Sequence, residues 1–496
     1  MALALNLLLR SCNIYQGWGG DYAGYLGQAR SVVESRPITD GNYIYNPAMP
    51  HLAPPAYPMG YPLMLAPLYA WFGLDMLVFS RFSAFTWWLA GVALFFFLRR
   101  EFSTLPALVT SVFFLFNPYY FAGKNLVLPD FIFAVWVLAA IYWYNYRDRH
   151  RYPNALWCGL WVGLAWVTRA NGIVLLLAFV ADTALSYLYT VWTQRRWLPE
   201  IKQMRFLAIA AAVAVLVQVL VHGVLFHLPE SGSYFDQMNR GAFGSARINS
   251  YFNQLLVQVL HYFQLEPEMT FFRIKNEDVA VQIGGALAIG LIILGMLRPG
   301  SPAARFYLLV VCLFGVLLAV WPLVQTLRYL LPVMCLMAYF LLRGLQAVDF
   351  QAHWVANSLK WLAVPLLFYG AYWHIDLGLH KGLRNADIGA PEYWNNQEAF
   401  RYIRENSPPG ARFAASHPLI FGLYADRKCV RWSNFADARQ IWVDFKQFEI
   451  DYLLVNNWVD SGDAGLQQFL KDRAGALQKI WHNERNVLFK IDRSSQ

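Results

Sequence analysis

Two aspartates stand where a carboxylate is costly. Asp21 follows the first apolar segment in the run Gly19-Gly20-Asp21-Tyr22-Ala23-Gly24-Tyr25. Asp130 follows Lys124 and Pro129 in the short link Gly123-Lys124-Asn125-Leu126-Val127-Leu128-Pro129, between two long apolar runs. An acid beside hydrocarbon costs roughly 2.5–3.5 kcal/mol on insertion scales, so each marks a functional site with a partner to be found. The chemistry open to such an acid is proton removal from an acceptor within hydrogen-bond reach. If the departing group is a phosphate, cations must stabilise it. Lys124, Arg81, Arg169 and Arg328 lie near the outer ends of helices and suit that task, arginine as a bidentate fork and lysine as a point charge. Tyr22, Tyr25, Tyr57 and Tyr61 are the candidate substrate-lining residues. Structural readings compete with each: a helix cap for Asp21, a first-turn acid for Asp130, a snorkelling ammonium for Lys124 and interface anchors for Tyr57 and Tyr61.

The elements that must position these groups are membrane helices. Of 496 residues, 57% are hydrophobic and only 14% charged, against about a quarter charged in soluble domains. The net charge of +9 does not point to nucleic acid, because the basic residues are grouped in short loops between apolar runs. Arg99 and Arg100, Arg147 to Arg151, Arg195 to Arg205, Arg298 and Arg305, then Arg343 and Lys360 fall in every second connection, which the positive-inside rule makes cytoplasmic. The alternate, outer connections hold both acids. Roughly eleven spans are expected, near 1–17, 76–98, 104–122, 130–146, 155–168, 172–190, 206–226, 279–297, 306–321, 328–342 and 360–374. An odd number with the amino terminus inside puts the tail outside.

Two outer loops stand out, at 18–75 and 227–277. In the first, Asp21 to Glu34 has the helical spacing of an interfacial helix, and Pro47 to Pro62 alternates prolines with tyrosines as a rigid surface would. The second carries an amphipathic run from Ile248 to Phe263 behind Gly232, Gly241 and Gly244, the pattern of a gating lid. The chain divides into a membrane catalytic domain at 1–385 and a soluble α/β domain at 386–496. In the latter, helices are expected near 394–405, 435–447 and 464–474, with strands near 411–415, 428–432, 451–456 and 486–491. No glycine-rich phosphate loop follows any of these strands. Five cysteines, mostly in apolar runs, make no disulfide framework, and the histidines show no ligand spacing. No cofactor is expected, though an acid pair closing in three dimensions could hold a divalent metal.

The Gly20-Asp21 entry with Tyr25 and Ala29, Pro58-Met59-Gly60-Tyr61-Pro62-Leu63, Arg81, Asp130 before Phe131, Thr168-Arg169 in a tight turn, and Arg328-Tyr329-Leu330-Leu331-Pro332 occur in one order and on one side. In that order and sidedness the chain resembles the membrane-embedded GT-C glycosyltransferases, closest to the protein mannosyltransferase and lipid A aminoarabinose transferase branch. The resemblance implies a polytopic, mostly helical fold, a polyprenyl-phosphate sugar donor, and inverting transfer to an outer-face acceptor that is a glycan, lipid or protein. It also implies that an acid in the first outer loop is the base, a position that Asp21 matches. Many members carry two adjacent acids there, whereas Tyr22 follows here, so Asp130 enters as the second candidate. The location expected is a bacterial cytoplasmic membrane, with membrane lipids as surroundings. Two rivals remain at this stage, a transporter or lipid flippase and a non-catalytic scaffold.

Overall fold

The computed structural model describes residues 12–49, 52–146, 151–194, 201–226, 253, 256–260, 262–263, 268–269, 274–275, 279–298, 301–320, 327–348, 390–433, 438–457 and 459–493. The expected span at 360–374, most of the one at 1–17, and most of the second outer loop with its three glycines lie outside these residues. Among those described, six helices are long and apolar enough to cross a membrane. The protein is a polytopic, mainly helical membrane protein with a carboxy-terminal α/β domain.

The helices are α1 (Asp21–Val33), α2 (Gly60–Phe72), α3 (Met76–Leu98), α4 (Thr104–Leu115), α5 (Pro118–Gly123), α6 (Asp130–Tyr146), α7 (Tyr152–Thr168), α8 (Ile173–Gln194), α9 (Ile201–Gln218), α10 (Val279–Leu297), α11 (Pro302–Val320) and α12 (Leu331–Ala347). The run expected as one span over 104–122 is broken. Asn117 caps α5 by accepting from the Tyr119 N–H at 3.0 Å, and Pro118 cannot continue the preceding helix. The spans expected at 155–168 and 172–190 are α7 and α8, which meet at a 3-10 turn, Ala170–Gly172. Small residues set the closest approach: a Cβ on Gly159 would lie 2.4 Å from the Ala210 carbonyl and one on Gly163 2.8 Å from Val217, so α7 and α9 pack closely along these glycines. At the far end of α6 from Asp130, the Tyr144 ring stacks on Phe179 at 4.1 Å and its hydroxyl donates to Asp182 at 2.9 Å.

The first outer loop departs from expectation twice. Residues 60–72 form a helix that begins inside the proline-rich stretch expected as a rigid surface up to Pro62. Pro62 falls in the first turn, where its missing N–H has no intrahelical partner to lose. And α1 does not lie open in the interface: nine of its residues from Tyr22 to Ser31 are buried, packed under Tyr57 and against the tail. A Cβ on Gly24 would fall 2.3 Å from the Tyr57 ring, so glycine is needed for that contact.

The tail runs α13 (Trp394–Asn406), β1 (Arg412–Ala414), α14 (Pro418–Ala425), β2 (Lys428–Val430), α15 (Ala438–Gln447), β3 (Tyr452–Asn456), α16 (Ala464–Asp472), β4 (Leu477–His482) and β5 (Asn486–Ile491). The sheet order is β2-β1-β3-β5-β4, with β1 parallel to both neighbours and β5 antiparallel to β3 and β4. Helix α14 and strand β4 were not anticipated. The first is short and begins at a proline, and the second is mostly exposed, without the alternation that marks a half-buried strand. The tail is bound to the first outer loop. Ile44 donates to the Cys429 carbonyl and Cys429 to that of Asn42, both at 2.8 Å, so the loop pairs with edge strand β2. Arg30 pairs with Asp426 at 2.8 Å and Asn46 donates to the Arg431 carbonyl at 2.9 Å.

Candidate active site

Asp21 is the first residue of α1, entered through Gly20 at a φ of 80° that favours glycine. Its carboxylate is held from two sides. The Tyr57 hydroxyl donates to Oδ1 at 3.0 Å, while Arg328 pairs with Oδ2. Tyr57 is itself fixed by Gln28, whose amide accepts from the Tyr57 N–H at 2.9 Å and donates to its carbonyl at 3.0 Å. Arg328 sits in the 3-10 turn Leu327–Leu330 that leads into α12.

The second acid is joined to the first through one aromatic ring. Arg328 lies 5.0 Å from the centre of the Tyr329 ring and donates to its hydroxyl at 3.1 Å. Arg169, in the turn between α7 and α8, lies 4.3 Å from the same ring and pairs with Asp130 at the start of α6. The result is a line of acid, arginine, tyrosine, arginine and acid drawn from α1, the α12 turn, the α7–α8 turn and α6. Its two ends differ in access: the side chains of Asp21 and Arg328 are 22% and 24% exposed, those of Asp130 and Arg169 only 4% and 10%. Asp21 is thus the more accessible acid, while Asp130 pairs with Arg169 in a nearly buried setting. Arg328 Nε and Asp130 Oδ2 are buried with no hydrogen-bond partner among the described residues, so the line retains polar capacity.

The other predicted residues are distributed as follows. Lys124 is fully buried in the turn between α5 and α6, donates to Asn125 Oδ1 at 3.0 Å, and is pushed down to about 8 by burial. Gln16 ties that turn to the first loop, donating to the Asn125 carbonyl at 2.9 Å and accepting from the Val127 N–H at 2.8 Å. Arg81 is exposed in α3 and shares with Lys124 the electrostatic surroundings of Cys12. Of the four tyrosines, Tyr57 reaches Asp21. Tyr25 packs between Tyr57 and Tyr61, with ring centres 4.6 and 5.3 Å away. Tyr61 is buried beside Ser83, 3.4 Å from its hydroxyl. Tyr22 points to the tail and donates to Glu392 at 3.0 Å.

Sequence reasoning did not single out Tyr329 or Glu392. Tyr329 was visible only as the neighbour of Arg328. Glu392 accepts from Tyr22, from Tyr424 at 2.7 Å and from the Gln16 N–H at 3.2 Å, and burial pushes its carboxyl up despite those donors. No group of three His, Cys, Asp or Glu side chains converges among the described residues. Asp21 and Asp130 each pair with an arginine.

Residues 56–222 match the family model of dolichyl-phosphate-mannose-protein mannosyltransferases. No curated protein matches by sequence. Among solved structures the fold is similar to that of ArnT from Cupriavidus metallidurans bound to undecaprenyl phosphate, at 13% identity over 99% of this chain and 97% of that one, with a TM-score of 0.59. It is also similar to the oligosaccharyltransferase AglB from Archaeoglobus fulgidus in complex with an inhibitory peptide and a dolichol-phosphate, at 12% identity over 92% and 69%, with a TM-score of 0.60. The arabinofuranosyltransferase AftD from Mycobacteria aligns at 12% identity over 99% of this chain but 41% of its own length, with a TM-score of 0.52. The matched segment spans the turn that carries Arg169 and the helix that begins at Asp130; the chain is similar to protein mannosyltransferases over that third of its length, and similar in fold to ArnT and AglB over most of it.

Proposed function

We propose that the protein is a membrane glycosyltransferase that moves a sugar from a polyprenyl-phosphate donor to an acceptor at the outer face, with inversion and with Asp21 as the base. One observation carries this reading: the accessible carboxylate of Asp21 is paired with Arg328, the outer member of an arginine line that can receive a phosphate. The family match at 56–222 supports a glycosyltransferase, and the lipid phosphates held by ArnT and AglB support the donor class.

In the proposed step the acceptor oxygen attacks the anomeric carbon, its proton passes to Asp21, and the bond from that carbon to the phosphate oxygen breaks. The electron pair leaves with the polyprenyl phosphate, which needs no proton because it departs as an anion. One base plus cations therefore suffices, unlike the carboxyl pair of a glycosidase. Arg328 and Arg169 would hold the phosphate, with Lys124 and Arg81 as further cations along its approach. Asp130 would fix Arg169, and Tyr57 would aim the Asp21 carboxylate. The tail would lie outside a bacterial cytoplasmic membrane.

The test is consumption of radiolabelled polyprenyl-phosphate sugars, hexosyl and pentosyl, by purified protein in nanodiscs. General-base catalysis contributes about 10²–10⁴-fold, so Asp21→Asn should lose at least a hundredfold in turnover while keeping its thermal stability. Wild-type turnover in that variant, or a product that retains the donor's anomeric configuration, would refute the mechanism.

A further inference from the structure

The tail's sheet has a crevice of its own. Strand β1 is continued through α14 to β2 on one side, and the chain then crosses back through α15 to β3 on the other, giving the parallel order β2-β1-β3. In open α/β sheets the crevice beyond the carboxyl ends of strands at such a reversal is where ligands bind. Here those ends are Ala415-Ser416-His417 after β1 and Asn456 to Asp460 at the end of β3. A shallow, partly open cleft lies there, lined among others by Ser416, His417, Asn456, Asp460 and Asn486.

Its wall is completed by a residue from outside the tail. Trp18, from the first outer loop, lines the same cleft and packs its ring against His417, with centres 5.0 Å apart. Trp18 is three residues before Asp21, at most about 10 Å along an extended chain. The polar side of the cleft is built and rigid. Asp460 is 3% exposed, accepts from the Asn456 N–H at 2.8 Å and takes the Ser416 hydroxyl on its other oxygen. Asn456 donates to Asn396 at 3.1 Å and to Asn486 at 3.0 Å, and Asn486 donates to Asn396 at 3.0 Å. Beside this network the Oδ1 of Asn395, 1% exposed, and the buried Nε of Arg431 have no hydrogen-bond partner among the described residues.

We propose that this cleft binds a neutral saccharide, the acceptor glycan or its first sugar, and brings it to Asp21. A pyranose presents an apolar C–H face and a rim of hydroxyls. The half-buried rings of Trp18 and His417 supply aromatic surface for the first, and the carboxylate and amides supply fixed acceptors and donors for the second. The Asp460 carboxylate at the floor disfavours an anionic ligand, and a shared hydroxyl proton satisfies its remaining lone pairs. This inference rests on the transferase reading for what happens next, but binding itself does not.

The test is saturation-transfer NMR on the full-length protein in nanodiscs with neutral methyl pyranosides and a neutral trisaccharide, beside a serine- and threonine-containing tetrapeptide. Wild type and Asp21→Asn should bind saccharide equally, while Trp18→Ala and Asp460→Asn should each bind at least tenfold more weakly. If Asp460→Asn does not fold, Trp18→Ala and His417→Ala, both at the half-open wall, carry the comparison. Saccharide binding without any donor consumption by wild type would uphold the cleft and refute the transferase reading. Saccharide transfer with an unchanged acceptor KM in Trp18→Ala, or binding of the peptide and not the sugars, would overturn the cleft proposal.

Discussion

The Tyr329 ring lies between the two acid–arginine pairs, and if they act as one site, as proposed, its replacement should separate them. Two guanidinium groups lie 4.3 and 5.0 Å from its centre. A cation over an aromatic face contributes roughly 0.5–2 kcal/mol, the larger value where water is excluded, so both together contribute about 1–4 kcal/mol to the arrangement. At about 1.4 kcal/mol per factor of ten, Tyr329→Leu should lower kcat/KM for the lipid donor by roughly fivefold to several hundredfold. Tyr329→Phe keeps the ring and loses only the 3.1 Å bond from Arg328 to the hydroxyl, about 1 kcal/mol and at most tenfold. The assay is initial-rate donor consumption in nanodiscs across a range of donor concentrations, with thermal melts to show that both variants fold. Equal losses in the two variants would mean that the hydroxyl, not the ring, matters. An unaffected Tyr329→Leu would mean that the arginines are held without the ring, and the reasoning would fail.

Other expectations follow from single contacts. A Cβ on Gly60 would lie 2.8 Å from the Thr168 N–H nitrogen and hydroxyl, one residue before Arg169. Gly60→Ala should therefore cost about 1–3 kcal/mol in denaturant unfolding and depress turnover with it; full stability with full activity would show that the turn yields freely. Glu392 has its carboxyl pushed up by burial, so its contribution is complete below the ordinary carboxylate range and is lost as pH rises through the raised value. Melting curves from pH 4 to 8 should show wild type losing ground to Glu392→Gln with rising pH, and a constant difference would contradict this. Lys124, pushed down to about 8, loses its charge above that pH. The donor KM should rise above pH 8 in wild type and less so in Lys124→Arg, and superimposable profiles would remove Lys124 from phosphate binding.

Much of the architecture could be read from periodicity and charge. The expectation of a helix over 130–146 coincides with α6, because one apolar run is bounded by an acid after a proline and by basic residues beyond it. Both acids and their arginine partners were singled out from their depth and side. Their pairing was not legible: Arg328 and Asp21 are 307 residues apart, and nothing local encodes which cation meets which acid. The helix 60–72 was hidden by its prolines, and the burial of α1 by small residues that give a weak helical pattern. The cleft at the β1–β3 reversal was out of reach for another reason. It requires strand order, which depends on long-range pairing, and one wall comes from Trp18, far away in sequence.

The hydrogen bonds between residues 42–46 and the edge of β2 bear on when the protein becomes competent during its synthesis. Asn46 and its partner Arg431 are separated by 385 residues. At roughly 5–20 residues per second the ribosome needs on the order of twenty to eighty seconds to deliver the second after the first. Throughout that interval the segment bearing Asp21 and Trp18 has been made but lacks the strand that completes its hydrogen bonding, and Glu392 has not yet met Tyr22. A chain stalled or cleaved before β2 would carry every charged residue of the acid–arginine line and still leave the loop unseated. The hydrogen bonds that hold the segment bearing Asp21 to the tail therefore form only after β2 has been made, and a truncated chain is expected to lack them.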